Sequence, residues 1–169
     1  GDSLTAMDML LRVERQFGLR VSLDAFGSRP TIAALVGVLG AGEPQARAMV
    51  RLRGDSDGPV CIFVPGIGGH AWVFSEVARR MSVPCDFRVV SLIDIVDSAR
   101  ERVTRRTIAD AVLAELHDVH PERPLIVGGF SFGGLVGADL VAEITRRGRE
   151  VRRVLLIDPA PLDSDPWHT

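Results

Sequence analysis

The apolar residues of this chain repeat with two different periods, and a stretch rich in glycine and proline lies between the two regions. Over the first 40 residues they recur at helical spacing. This predicts an amphipathic helix from about Ser3 to Phe17 and a second helix from Pro30 to Leu39. Gly18 ends the first helix, because glycine is a usual stop signal, and a proline suits the first turn of the second. The pattern therefore predicts a small all-α region.

Beyond residue 58, short apolar runs alternate with helical patterns. Such alternation predicts an α/β domain with a doubly wound sheet of parallel strands, whose chemistry lies at the carboxyl ends of the strands. A weaker alternation at Met49–Arg53 indicates a short edge strand. The predicted strands are Val60–Val64, Phe87–Leu92, Pro124–Val127 and Val154–Ile157, and the predicted helices are Trp72–Met81, Thr107–Val119 and Leu135–Arg147.

Composition narrows the possible partners. The chain has 169 residues, 46% of them hydrophobic and 25% charged, as in an ordinary globular protein, and a net charge of -2 gives no reason to expect a nucleic acid or a membrane surface as partner. No apolar run approaches the roughly 20 residues that span a bilayer, so we expect a cytoplasmic protein. Two cysteines, Cys61 and Cys85, fit neither a disulfide framework nor a metal site, and we expect reduced, structural thiols.

Five residues between a predicted strand and a predicted helix, Gly129-Phe130-Ser131-Phe132-Gly133, have the pattern Gly-x-Ser-x-Gly. In a nucleophile elbow the serine lies on a sharp strand-to-helix turn, and glycines flank it because a Cβ there would collide with a neighbouring element. The alternative is a glycine-rich turn with an incidental serine. Strand, turn and helix all fall where the motif requires them, so the pattern predicts Ser131 as a catalytic nucleophile.

A second glycine-rich loop, Pro65-Gly66-Ile67-Gly68-Gly69-His70, follows the first buried strand. An α/β-hydrolase takes one oxyanion donor from this loop and another from the residue after the nucleophile. The backbone N–H groups of Ile67 and Phe132 are therefore the predicted oxyanion donors. The alternative for the loop is a tight strand-to-helix turn without a catalytic role.

An acidic residue, Asp158, ends the strand that follows the elbow helix; its alternative role is to cap a turn before Pro159. The chain resembles the type I thioesterase domains that close synthetase assembly lines, over residues 60–69, 128–134 and 154–161. This resemblance implies an α/β-hydrolase fold in which Asp158 is the acid of a catalytic triad. Such an acid holds a histidine in the right tautomer.

The histidine of the triad is the gap in this assignment. Hydrolases of this fold order the triad Ser, Asp, His, and His168 alone follows Asp158. In the resembled family the histidine follows a last strand much further along, so we expect His168 to be a surface residue. His70 could line the pocket, and the remaining two histidines, near Pro121, receive no chemical role. We expect the catalytic histidine in a continuation of the chain, with a lid and further strands.

The first 40 residues contain Asp2-Ser3-Leu4 before a long helix, then Val21-Ser22-Leu23 and a segment from Arg29 to Leu35. This segment resembles the acyl or peptidyl carrier domains of polyketide and nonribosomal peptide synthetases. The resemblance implies a 4'-phosphopantetheine arm on Ser3; the alternative is a plain helix cap. The helix N-terminus suits a phosphodiester. Carrier bundles have a helix before the serine motif, so we expect these residues to be part of a longer chain.

Taken together, the sequence predicts a partial carrier bundle at residues 1–40, a linker and first strand at 41–58, and the amino-terminal part of a thioesterase at 59–169. The resemblance implies chain release by hydrolysis or cyclisation of an acyl or peptidyl thioester, with upstream synthetase modules and a phosphopantetheinyl transferase as partners. Two alternatives remain. One is a non-catalytic module that carries or holds an acyl chain, and the other is a free-standing esterase or acyltransferase of the same fold.

Overall fold

The structure is a computed structural model, and it describes residues 3–18, 21, 26, 31–40, 47–54, 58–99, 102–119 and 121–161. Two helices, α1 (Ser3–Phe17) and α2 (Ile32–Gly40), form the amino-terminal part, so both predicted helices are confirmed. The predicted start of the second helix at Pro30 lies outside the described residues. Leu10 and Leu35 bury their side chains in a small core of this part, whereas Ile32 remains 80% exposed.

A five-stranded mixed sheet in the order β1-β3-β2-β4-β5 forms the rest of the described chain. Its four parallel strands are β2, β3, β4 and β5, and β1 pairs antiparallel with β3 at one edge. The strand bounds are β1 Met49–Arg53, β2 Val60–Val64, β3 Asp86–Val90, β4 Leu125–Phe130 and β5 Val151–Ile157. The predicted edge strand is therefore present, although it makes the sheet mixed instead of purely parallel.

Helices cover both faces of the sheet, as the doubly wound prediction requires. The larger core lies under the helices Arg105–Glu115 and Phe132–Arg146 and contains Val60, Val127 and Leu140. The smaller core lies on the other face, where Phe63, Phe87 and Ala71 pack together. The helices are a 3-10 turn Ala71–Phe74 that leads into α3 Ser75–Arg80, then α4 Leu92–Ser98, α5 Arg105–Glu115 with a 3-10 turn Leu116–Asp118, and α6 Phe132–Arg146.

Several predicted boundaries are wrong: β4 continues to Phe130 instead of ending at Val127, and β5 begins at Val151 instead of Val154. The end of β3 is a further case. The predicted strand Phe87–Leu92 ends at Val90, and Leu92 begins helix α4. The side-chain oxygen of Ser91 accepts a hydrogen bond from the Asp94 N–H at 3.3 Å, which caps the helix. A serine cap satisfies one of the unpaired N–H groups of a first helical turn, so it favours a helix over a longer strand at this point.

Strand β5 lies at an edge of the sheet, and its apolar side chains are well exposed. Exposed fractions range from 44% to 53% over Val154–Ile157. None of the helices in the described residues is both long enough and apolar enough to cross a membrane.

Candidate functional site

Ser131 lies on a strained turn between β4 and α6. Its backbone has φ 53° and ψ −125°, a conformation that residues with a Cβ rarely adopt. Such a conformation costs of order 1–3 kcal/mol, and it persists where the surrounding structure enforces it. The turn presents a half-buried serine at the carboxyl edge of the sheet, where the sequence predicts the nucleophile.

The two flanking glycines are required by close backbone contacts. A Cβ on Gly129 would lie 2.1 Å from the carbonyl oxygen of Gly133, and a Cβ on Gly133 would lie 2.1 Å from that of Val64. Neither position has room for any side chain, because each contact is with backbone and not with a movable side-chain end. These contacts explain the Gly-x-Ser-x-Gly pattern by packing, as the elbow interpretation expects.

The turn that carries Asp158 is hydrogen-bonded to the elbow. The Ser131 N–H donates to the carbonyl of Ile157 at 3.1 Å, and the Ala160 N–H donates to the carbonyl of Ser131, also at 3.1 Å. Asp158 lies between these two partners and itself has a positive φ of 43°. The backbone of Asp158, an exposed residue, therefore lies next to the elbow on the β5 side.

The glycine-rich loop after β2 approaches Ser131 from the other side. A Cβ on Gly66 would lie 3.4 Å from the Cβ of Ser131, so the loop and the nucleophile are close neighbours. The loop is a tight turn in which the Gly69 N–H donates to the Gly66 carbonyl at 2.9 Å and Gly68 has φ 68°. Ile67, at its tip, is 59% exposed. The predicted tight turn agrees with this geometry, and the role of the Ile67 N–H as an oxyanion donor stays a prediction.

Phe132, the second predicted oxyanion donor, is the first residue of α6, with a side chain that is only 2% exposed. Its backbone N–H therefore lies at the helix N-terminus, where the macrodipole favours negative charge. The structure thus brings Ser131, Asp158, Ile67 and Phe132 to one edge of the sheet. The catalytic roles of these residues stay predictions.

Of the two histidines in the described residues, His70 lies on the glycine-rich loop of this group and His117 lies away from it. His117 is exposed in the 3-10 turn that follows α5, and its Nδ1 contacts the carbonyl of Ala114. His70 is half-buried at the end of the glycine-rich loop, with its ring centroid 6.4 Å from that of Trp72. Both His120 and His168 lie outside the described residues.

Ser3 is the first residue of α1, a helix of 15 residues. A hydroxyl residue at a helix N-terminus fits a phosphodiester, because backbone N–H groups and the helix dipole both favour an anion there. Ser3 is the residue that would hold the 4'-phosphopantetheine group. Among the described residues, no cluster of histidine, cysteine, aspartate or glutamate could hold a metal ion.

The perturbed pKa values lie away from this edge of the sheet. Hydrogen bonds from Arg146 and Arg147 lower the pKa of Glu143, on the last turns of α6, to about 2. Burial raises the pKa of the Cys61 thiol to about 12, and the neighbouring Cys85 adds to this. Both groups are structural, since one anchors a helix end and the other lies in the smaller core.

A buried carboxylate, Asp86, also has a perturbed pKa. Burial opposes its ionisation, but hydrogen bonds from Arg88 and Arg51 outweigh this and hold its pKa below the usual range. The contacts of Arg51 and Arg88 are 2.9 Å long, and Arg123 adds a third at 3.4 Å. Asp86 is the first residue of β3, so it lies at the amino ends of the parallel strands, whereas Ser131 lies at their carboxyl ends. We therefore assign Asp86 a structural role.

One residue beside the serine, Phe130, was not predicted from the sequence. This large aromatic side chain directly precedes the serine, yet it is 41% exposed. Its ring lies against Gly66, where an added Cβ would be 3.4 Å from the ring atom Cδ1. The available signal was a bulky apolar residue inside the Gly-x-Ser-x-Gly pattern, but the pattern itself allows any residue there.

Comparison with known proteins agrees with these features. Residues 59–169 match the family described as Thioesterase domain, and residues 1–39 match Phosphopantetheine attachment site. Enterobactin synthase component F of Escherichia coli O157:H7 is 28% identical over 99% of this chain and 13% of that protein. Chondramide synthase cmdD of Chondromyces crocatus is 26% identical over 95% of this chain and 4% of that protein. The chain thus spans only a small part of the curated relatives it matches.

Solved structures agree as well. The NocB thioesterase domain from the Nocardicin cluster is 27% identical with a TM-score of 0.55, over 64% of this chain and 49% of that one. The four-domain nonribosomal peptide synthetase AB3403 shares the fold with a TM-score of 0.60 at 23% identity, over 94% of this chain and 12% of that one. The protein belongs to the thioesterase domain family, serine hydrolases of the α/β-hydrolase fold, and carries a phosphopantetheine attachment site at its amino end.

Proposed function

We propose that this chain is the carrier and thioesterase portion of a biosynthetic synthetase, and that it releases a finished acyl or peptidyl chain from a thioester. The observation that carries the proposal is the pair of backbone hydrogen bonds that join the strained Ser131 elbow to the Asp158 turn, each 3.1 Å long. They support a nucleophile and an acid in the order Ser, Asp that hydrolases of this fold use.

In the proposed reaction, the Ser131 Oγ attacks the thioester carbonyl carbon and gives its proton to a histidine that Asp158 orients. This histidine comes from outside the described residues. The carbonyl oxygen becomes an oxyanion that accepts hydrogen bonds from the Ile67 and Phe132 N–H groups. Loss of one such donor typically costs roughly 3 kcal/mol of transition-state stabilisation.

Collapse of the oxyanion breaks the carbon–sulfur bond, and the departing thiol takes the proton from the histidine. The acyl group is then an ester on Ser131. Water, or a nucleophile within the chain itself, attacks the ester carbon and breaks the bond to Oγ, which regains a proton. The first outcome is hydrolysis and the second is cyclisation.

The amino-terminal part would deliver the substrate. We propose a carrier domain at residues 1–40, a linker and first strand at 41–58, and the thioesterase at 59–169. When bound to Ser3, 4'-phosphopantetheine supplies a flexible thiol tether, which makes the encounter intramolecular and raises the effective concentration of substrate. Upstream synthetase modules would load it.

Other features support the remaining partners and the location. A hydroxyl residue at the start of α1 supports a phosphopantetheinyl transferase as the enzyme that modifies Ser3. Cys61 and Cys85 are both free thiols, which supports the cytoplasm as the location, because disulfides are rare in its reducing environment. The net charge of -2 favours neither nucleic acid nor a membrane as partner.

A fluorophosphonate probe tests the proposed nucleophile in the full-length protein. We expect one probe molecule per chain, mapped by peptide mass spectrometry to Ser131 and absent from Ser131→Ala. Asp158→Asn should slow labelling by orders of magnitude, because the histidine would lose its orientation. Asp110→Asn, an exposed change on α5, should label at the wild-type rate. If the probe fails to label the wild-type protein, the proposed thioesterase activity is refuted, and the alternative of a non-catalytic module that carries or holds an acyl chain is favoured.

A further inference from the structure

Phe130 projects from β4 onto the face of the sheet that carries the smaller core. Gly128, two residues earlier on the same strand, faces Phe63 of that core, since a Cβ on Gly128 would lie 2.8 Å from the Phe63 ring. Side chains two apart on a strand share a face. Phe130 therefore continues this apolar face to the carboxyl edge, where it is 41% exposed beside the nucleophile.

Gly66 provides the space for this ring. Because it has no side chain, the aromatic ring can lie against the loop backbone, 3.4 Å from where a Cβ would be. Ile67, the next residue of the loop, is 59% exposed. An exposed aromatic ring and an exposed branched side chain thus lie on the β2 side of Ser131, and we call these two residues the apolar shelf.

The sheet order fixes which part of a substrate meets the shelf. Strand β4 lies between β2 and β5, so the loop with Gly66 and the turn with Asp158 flank Ser131 on opposite sides. The leaving thiol must receive a proton from the base that the acid orients, so it departs on the Asp158 side. The acyl portion then extends toward the opposite side, where the apolar shelf lies.

We propose that Phe130, with Ile67, determines acyl specificity by binding the carbons next to the thioester carbonyl. The favoured substrates carry apolar or aromatic groups at that position. This inference rests on the proposed role of Ser131 as nucleophile. The recognition is by contact with an apolar surface, which discriminates by about 10-fold or more for each added carbon that is fully buried.

The test compares acyl groups of increasing apolar size on one small thiol leaving group, in the full-length protein. The measured quantity is the ratio of kcat/KM for the largest acyl group to that for acetyl. Phe130→Ala should lower this ratio about tenfold, and Phe130→Leu should restore most of it. Val83→Ala, which shortens a more exposed apolar residue before β3, should keep the wild-type ratio. A ratio in Phe130→Ala within about twofold of wild type would overturn the proposal.

A second series separates the acyl group from the leaving group. Here one acyl group is presented on a small thiol and on pantetheine, and single-turnover deacylation is followed after the thiol has left. We expect Phe130→Ala to slow deacylation of the acyl-enzyme that carries the large acyl group. The effect of the substitution should be the same for substrates with either thiol as the leaving group. Discrimination between thiols with unchanged deacylation would mean that the shelf holds the leaving arm, which contradicts the proposal. If the wild type neither labels nor turns over, the proposed function fails as well.

Discussion

Gly133 offers a quantitative test of the elbow geometry. A Cβ added there would lie 2.1 Å from the Val64 carbonyl oxygen and 2.4 Å from that of Pro65. Both atoms are backbone and belong to β2 and the start of the glycine-rich loop, so the helix must move away from the strand. Gly137, one turn later in α6, is the matched control, because its nearest neighbour would be 3.6 Å away, an ordinary contact.

The expected sizes follow from two opposing terms. Replacing a helical glycine by alanine stabilises by about 1 kcal/mol when nothing else changes. Overpacking typically costs 1–3 kcal/mol, and a clash with backbone at two points lies at or above the upper end. We therefore expect Gly133→Ala to lower the free energy of unfolding by about 2 kcal/mol net, and Gly137→Ala to raise it by up to about 1 kcal/mol.

Urea and thermal unfolding of both variants, followed by circular dichroism, measure these differences. For a chain of this size, the loss in Gly133→Ala corresponds to a fall in Tm of roughly 4–8 °C. Fluorophosphonate labelling of the same samples should fall strongly in Gly133→Ala, because the movement displaces the elbow from the oxyanion loop. Equal stability of Gly133→Ala and wild type, or equal loss in both variants, would refute the packing argument.

Three further predictions concern strain and charge. In urea titrations, the free energy of unfolding of Ser131→Gly should be about 1 kcal/mol higher than that of Ser131→Ala, because glycine adopts the positive φ at that position without strain. Hydrogen bonds from arginines hold the pKa of Glu143 down to about 2, so the stability it contributes is present above pH 4.5 and is lost as pH falls toward 2; Glu143→Gln should flatten this part of the stability profile. Asp86→Asn should cost about 2 kcal/mol in urea unfolding, since three arginines lose their counter-charge, whereas exposed Asp110→Asn should cost under about 0.5 kcal/mol.

The elbow was predictable because its sequence pattern records a steric requirement. Gly129 and Gly133 must be glycines because an added Cβ at either position would lie 2.1 Å from a backbone oxygen. A serine between two such glycines, on a strand-to-helix turn, is the pattern of a nucleophile elbow. The order of β-strands and helices followed likewise from the alternation of short apolar runs and helical patterns. Local periodicity and close packing are both visible one segment at a time.

Other features depend on contacts between distant segments and were not predictable. A hydrogen bond from the Asp94 N–H to the side-chain oxygen of Ser91 favours the end of β3 and the start of α4 at this point, and the apolar run alone does not show this. The exposure of Phe130 depends on which loop lies beside it. The hydrogen bonds that join the elbow to the Ile157 carbonyl and the Ala160 N–H likewise required the pairing of β4 with β5.

In the proposed function, an acyl group passes from Ser3 to Ser131 before release. The direct measurement loads the full-length protein with a mass-tagged acyl pantetheine through a phosphopantetheinyl transferase, then maps the tag in peptides over time. We predict that the tag is first on the Ser3 peptide, then on the Ser131 peptide as an ester, and that it stays on Ser3 in Ser131→Ala. Release at the wild-type rate from Ser131→Ala, or loading at a residue other than Ser3, would contradict the claim.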